Sequence, residues 1–266
     1  MVLNEAENVI AGDEEADLVY CNGEIVWERK YGWLYSIEGS AVRLLEYVGG
    51  GSDVTVTAPS KIKSRPVMYF GPVNPRTDQH PVNPYHYDSP NGETYAIRRL
   101  IIPDSIVRIE KMAMRNANRL TSVVLGNGVT HIEFEAFTGL QTITELTVGR
   151  SVRQIREKAF YFAMSSFSKQ TELDLGDSLL AIEKQAFFAC YFKKYILPDT
   201  LNVIGAQAFM KNIYLEEIYI PPSIASIGSM AFSECHSLKR MLFPRRLLSY
   251  YPASVLGVPS SVIVPY

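Results

Sequence analysis

From about residue 97 onward, the hydrophobic and polar positions repeat one phrase. A short apolar strand ends in Pro or Gly: Leu100-Ile101-Ile102-Pro103, Val123-Val124-Leu125-Gly126, Leu146-Thr147-Val148-Gly149, Leu173-Asp174-Leu175-Gly176, Tyr195-Ile196-Leu197-Pro198, Ile218-Tyr219-Ile220-Pro221 and Met241-Leu242-Phe243-Pro244. An apolar residue three places before an isoleucine follows: Ile106/Ile109, Val129/Ile132, Val152/Ile155, Leu179/Ile182, Leu201/Ile204 and Ile224/Ile227. An Ala-aromatic pair then closes the unit at Ala136-Phe137, Ala159-Phe160, Ala186-Phe187, Ala208-Phe209 and Ala231-Phe232, with Ala113-Met114 as a weaker first copy. From Ala113 the intervals are 23, 23, 27, 22 and 23 residues, so three features keep phase through the chain.

Each unit predicts a strand, a second extended stretch, and a short turn of helix carrying the Ala-Phe pair. A unit of this size cannot bury its own apolar side, so the coils must stack, each Phe and Ile on its counterpart. The fold expected is an α/β repeat solenoid, with short strands plus short helical turns. Alanine precedes Phe because a turn pressed between neighbours leaves room only for a small side chain. The extra residues of the long interval, around Ser165 to Gln170, are expected to bulge outward. The last coil, Arg245 to Leu256, lacks the pair, and Val262-Ile263-Val264 reads as a capping strand.

The run IPPSIASIGSMAFSECHSLKRMLFP, Ile220 to Pro244, resembles the BspA-type leucine-rich repeat, known from surface proteins of anaerobic bacteria and from some protists. Tyr35 to Gly71 resembles the opening coil of such arrays. The resemblance implies a solenoid over residues 34–266, interrupted by an inserted loop at 72–92, and it is specific for fold rather than for function. Residues 1–33 stand apart. Leu18-Val19-Tyr20-Cys21, then Asn22-Gly23, then Glu24-Ile25-Val26-Trp27 is a hairpin signal, Asn-Gly supplying the positive-φ pair of a type I′ turn. This segment resembles hairpins that open phage and prophage tail proteins, which makes Tyr20, Asn22, Gly23 and Trp27 candidate docking residues. The other reading is a cap over the end of the array.

Composition narrows the function classes. With 26 Lys+Arg against 28 Asp+Glu the formal charge is −2, which argues against a nucleic-acid partner. A hydrophobic fraction of 47% argues against disorder. Met1 to Asp17 carries four Glu and two Asp and shows no export signal. Leu247 to Tyr266 lacks charge but is broken by Pro252, Pro259 and Pro265, so no membrane insertion is expected. Three cysteines do not make a disulfide framework, and Cys190 and Cys235, at the same place after Ala-Phe, read as small buried fillers. Gly49-Gly50-Gly51 lacks the Gly-Lys-Ser/Thr of a phosphate loop and reads as a hairpin turn. No nucleophile, metal or cofactor motif stands out, so catalytic, metal and cofactor-binding residues are all expected to be absent.

Two candidate contact surfaces remain. Strand alternation points one row outward, Ile101, Val124, Thr147, Asp174, Ile196, Tyr219 and Leu242, more apolar than a solvated face requires. Beside it runs a polar row, Arg99, Ser122, Glu145, Glu172, Lys194, Glu217 and Arg240. The loop 72–92 offers Tyr85, His86 and Tyr87 as contacts or as mere decoration. The expectation is a non-enzymatic recognition protein of a bacteriophage or prophage tail, meeting neighbouring virion proteins or a host-surface protein or glycan. A bacterial cell-surface adhesion module is the alternative, and a homo-oligomer stays open in both.

Overall fold

The computed structural model describes residues 18–21, 24–28, 33–47, 54–71, 97–117, 119–164 and 172–266. They form a parallel β-solenoid in which each coil lays down three sides. The first side carries the strands Ile97–Ile102, Ser122–Leu125, Glu145–Thr147, Glu172–Asp174, Lys194–Ile196, Glu217–Tyr219 and Arg240–Phe243. The second carries two-residue strands from Arg108–Ile109 to Ser226–Ile227, stacked in parallel so that each isoleucine pairs with its counterpart one coil away. Ile109, Ile132, Ile155, Ile182, Ile204 and Ile227 are all buried, forming one column.

The third side, which holds the Ala-Phe pairs, is a run of hydrogen-bonded turns where sequence suggests helix. The residue before each Ala and the third residue after it have positive φ, for example Glu135 (53°) with Gly139 (76°) and Gln207 (57°) with Lys211 (62°). These left-handed positions make successive N–H groups alternate in direction. Glu135, Phe137 and Gly139 donate to the carbonyls of Glu157, Ala159 and Tyr161 in the next coil, at 3.2, 2.8 and 2.8 Å. Ala136 and Thr138 donate within their own coil, to Glu133 and Glu135. In an α-helix every N–H beyond the first turn closes on the carbonyl four residues back, so successive groups could not alternate between coils. The pattern recurs at Ala159, Ala186 and Ala208, so this side is a third ladder.

Behind it lies a phenylalanine stack. Phe137, Phe160, Phe187, Phe209 and Phe232 are fully buried, with successive ring centroids 5.3, 5.2, 5.6 and 5.3 Å apart and planes within 9° of parallel. The alanine before each is fully buried as well, as the space argument requires. Four places after each Ala the side chain is buried, and in three coils it is polar. Cys190 Sγ, Asn212 Nδ2 and Cys235 Sγ donate to the carbonyls of Phe160, Phe187 and Phe209 in the preceding coil, at 3.1, 2.7 and 3.2 Å. Asn212 also donates to Phe209 O at 2.8 Å and accepts from the hydroxyl of buried Tyr195 at 2.5 Å.

Stacking is close where the second side meets the third. A Cβ on Gly228 would lie 2.1 Å from the amide nitrogen of Ala206, so only glycine fits there. Earlier coils carry charge at this corner. Arg156 sits between Glu183 (2.6 Å) and Glu133 (3.9 Å), and Arg108 reaches Glu133 at 3.0 Å.

At the N-terminal end the strands Leu18–Cys21, Glu24–Glu28, Trp33–Glu38 and Ala41–Tyr47 form an antiparallel meander continuous with the second side, because Ala41–Tyr47 pairs in parallel with Arg65–Phe70. Trp33, just inside the first expected segment, begins a strand of that same sheet. Arg43 ties the meander to the first coils, 2.6 Å from Glu110 and 4.6 Å above the Tyr69 ring. The glycines 49–51 lie outside the described residues, but the strands they join, Ala41–Tyr47 and Val54–Thr57, belong to different sheets. A hairpin in the following stretch joins Lys61–Ile62 to Arg65–Phe70, with Lys63 and Ser64 both at positive φ.

At the other end the strand Ile263–Pro265 pairs in parallel with Arg240–Phe243, the capping role expected of it. A four-residue helix, Ala253–Leu256, takes the place of an Ala-Phe turn and accepts the last inter-coil bonds, from Met230 to Val255 O and from Phe232 to Leu256 O. The outer edge of the capping strand offers no donor. The Ile263 N–H is used by Ser260 O, Val264 and Tyr266 face the array by alternation, and Pro265 has no N–H.

Among the described residues the first side divides into two sheets. Its strands form one sheet ending at Glu145–Thr147 and a second beginning at Glu172–Asp174, with no ladder between them among the described residues. The long interval enters here; residues 165–171, where the bulge is expected, lie outside the described residues. The second side and the phenylalanine stack run through unbroken.

Candidate recognition face

On the first side, alternation sends Leu100, Val123, Leu146, Leu173, Tyr195, Ile218 and Met241 inward, all buried. Their neighbours face outward in a column. Ile101, Val124 and Leu242 are half-buried between rungs, Thr147 and Asp174 are exposed, and Ile196 and Tyr219 are 42% and 36% exposed. Pairing fixes the column: Ile101, Val124 and Thr147 are register partners, as are Asp174 and Ile196, and Tyr219 and Leu242. The capping strand extends it by Val264, the register partner of Leu242. Tyr266 folds back so that its ring stacks on Tyr219 (5.4 Å, 26°) and its hydroxyl donates to Ile220 O at 2.7 Å. Sequence reasoning missed both residues: alternation through the capping strand signals Val264, whereas Tyr266 has no counterpart in any coil.

The polar row beside the column is mostly neutralised internally. Lys194 lies between Glu172 (3.7 Å) and Glu217 (3.5 Å). Ser122, expected to face solvent, is buried at 5%, because Arg99 and Glu145 on either side of it close to 3.6 Å across its rung. A hydroxymethyl group is short enough to sit beneath that pair. Nearby, hydrogen bonds from Lys239 and Lys193 hold the Glu216 carboxyl below its ordinary range.

A groove of about 780 Å³ follows the column from Ile101 to Ile196. Its floor includes Ile101, Val124, Thr147 and Ile196, and its walls include Asp104, Arg150, Glu172 and Asp174. The turns along one bank are tied in file: Asp104 Oδ1 accepts the Asn127 N–H (2.6 Å), Asn127 Oδ1 accepts the Arg150 N–H (3.1 Å), and the Arg150 guanidinium donates to Asp177 (2.9 Å). Asp174 Oδ1 accepts the Gly176 N–H at 2.9 Å. A smaller hollow of about 250 Å³ lies between Ile196, Tyr219 and Leu242, rimmed by Lys194, Glu217 and Arg240. On the third side, Phe162 (38% exposed) packs with Tyr161 and Phe188, while Lys158 and Lys211 stand over the rings of Tyr161 and Phe188.

Of the hairpin residues, Tyr20 and Trp27 lie on paired strands, while Asn22 and Gly23 fall outside the described residues. Tyr85, His86 and Tyr87 also fall outside them. Cys190 and Cys235 are free thiols with pKa values pushed up to about 12 by burial, so neither is a thiolate at neutral pH. Among the described residues no three His, Cys, Asp or Glu side chains cluster as a metal site. Nor, among those residues, is any helix long and apolar enough to cross a membrane.

The sequence pattern described as the BspA type leucine rich repeat region matches residues 92–169 and 161–255, with six copies. Several solved structures are similar. One is a leucine rich repeat protein of T. pallidum, at 17% identity over 88% of this chain and 82% of that one, TM-score 0.43. A leucine-rich repeat protein from Bacteroides ovatus shows 14% identity over 88% and 77%, TM-score 0.33. A leucine rich cell surface protein from Faecalibacterium prausnitzii shows 16% identity over 95% of both chains, TM-score 0.29. No curated protein matches significantly. With its repeats matched across more than half its length, the chain belongs to the BspA-type leucine-rich repeat family.

Proposed function

We propose that the chain is a non-enzymatic recognition protein that binds its partner along the first side of the solenoid. The observation that carries this is the outward column, which keeps Ile196, Tyr219 and Val264 exposed on a rigid stack of strands where solvated side chains would serve folding equally well. Its setting is a bacteriophage or prophage tail, with the N-terminal hairpin docking the chain to neighbouring virion proteins and the column meeting a host-surface protein or glycan. The resemblance of the Leu18–Glu28 segment to tail-protein hairpins supports that setting. The second reading, an adhesion module on a bacterial cell surface, is supported by membership of the BspA-type family, and by the continuity of the hairpin with the array, which suits a cap.

Replacing Ile196 or Tyr219 by Glu is expected to leave the unfolding transition unchanged and to weaken association with the partner; unchanged association removes the face. Mass spectrometry of purified virions and of washed cell envelopes from the source strain separates the settings. Recovery in virions supports the tail assignment, and recovery on envelopes alone overturns it.

A further inference from the structure

Among the described residues the column is uncharged on both sides of one charged rung. Ile101, Val124 and Thr147 precede Asp174, and Ile196, Tyr219, Leu242 and Val264 follow it. With paired rungs spaced about 5 Å apart, the apolar side chain of Ile196 lies one rung from the Asp174 carboxylate. Most carboxylates on the described coils already face a cation: Glu133, Glu145, Glu172, Glu183, Glu216 and Glu217 all form ion pairs. Among the described residues, Asp174 is exposed in the groove and holds only the Gly176 amide. Among them too, Asp104 in the turns beside the column holds only the Asn127 amide, and the one cation in the lining, Arg150, is engaged by Asp177.

We infer that the groove takes a protein segment in which a Lys or Arg is flanked by apolar side chains, laid along the column with its cation at Asp174. This rests on the recognition reading above and names the chemistry of its partner. The apolar flanks supply contact area over Val124, Thr147 and Ile196. The cation supplies register, because among the described residues Asp174 is the only charged side chain in the column and a shifted segment would leave its cation on an uncharged rung.

The test pans a displayed random-peptide library against the full chain and measures the selected peptides by fluorescence anisotropy. The variants are Asp174→Asn and Tyr219→Glu, each first checked for an unchanged unfolding transition. Expected are peptides with a Lys or Arg between apolar residues, bound about tenfold more weakly by Asp174→Asn and more weakly in high salt. Peptides that lose affinity for Tyr219→Glu but bind Asp174→Asn as tightly as the parent overturn the cation reading and leave the recognition face standing. The same holds if an arrayed polysaccharide, and no peptide, binds in a Tyr219-dependent way. Selected peptides indifferent to both substitutions overturn the cation reading and the face together.

Discussion

The buried polar ladder shows how much one side chain decides. Cys190, Asn212 and Cys235 occupy one structural position and perform one task, donating to a phenylalanine carbonyl in the preceding coil. Asn212 alone of the three also bonds a core side chain, because Tyr195 places a hydroxyl in the core where neighbouring coils place Leu173 and Ile218. The two residues are therefore coupled. Asn212→Leu should cost about 2–4 kcal/mol by urea denaturation, since it strands the Tyr195 hydroxyl and the Phe187 carbonyl. The same substitution in a Tyr195→Phe background should cost about 1 kcal/mol less; equal costs would show that no coupling exists. A second residue-scale consequence concerns His131, whose pKa is lowered from 6.5 by burial and by Arg108, with Glu133 opposing. The unfolded chain binds this proton more readily than the folded one. The stabilising contribution is thus present above about pH 6.5 and is lost as pH falls from there through the folded value. Titration followed by NMR should place the His131 midpoint below 6.5, and His131→Gln should flatten the fall in stability through that window.

Among the elements, the strands and their register are legible in the sequence, and the turns are not. Ile109, Ile132 and Ile155 recur as one residue type at one phase, so their column follows directly from stacking, as does the phenylalanine stack. The Ala-Phe segments read as helix because Glu135, Lys158, Gln185 and Gln207 are ordinary helix formers; nothing in their chemistry announces positive φ. They adopt it because the alternation of N–H directions joins one coil to the next, and that requirement arises only in the assembled array. Each such residue holds about 1–2 kcal/mol of backbone strain, which yields a signed prediction. Gln207→Gly should be neutral or stabilising by up to about 1 kcal/mol, strain relief being partly offset by chain entropy. Gln207→Val should destabilise by more than about 1 kcal/mol, as a β-branched side chain fits the left-handed region poorly. Thermal unfolding of the pair decides it, and a helical turn at this position would reverse the order. The site was legible to the same extent as the elements. The outward column follows from period-two alternation, but the burial of Ser122 and the return of Tyr266 over Tyr219 depend on side chains reaching across rungs, which alternation does not encode.

At the scale of the whole molecule, the array has three sides and treats them differently. The edge presented by Ile263–Pro265 has no donor to offer, so a second copy finds only carbonyls there. Pro265→Val restores an outward N–H on a strand set in a stretch, Leu247 to Tyr266, without charged side chains, and light scattering should then show more concentration-dependent association than the parent gives. The two sides that run through the long interval have a mechanical meaning as well. Ile155 pairs with Ile182 and Phe160 stacks on Phe187 across an interval of 27 residues where neighbouring coils use 22 or 23. The ring spacing there, 5.2 Å, matches the 5.3 Å of the coil before it, so the extra residues leave the distance between coils unchanged on those sides. The array is thus a ruler whose graduations are set by backbone pairing and ring thickness, not by the number of residues in each coil.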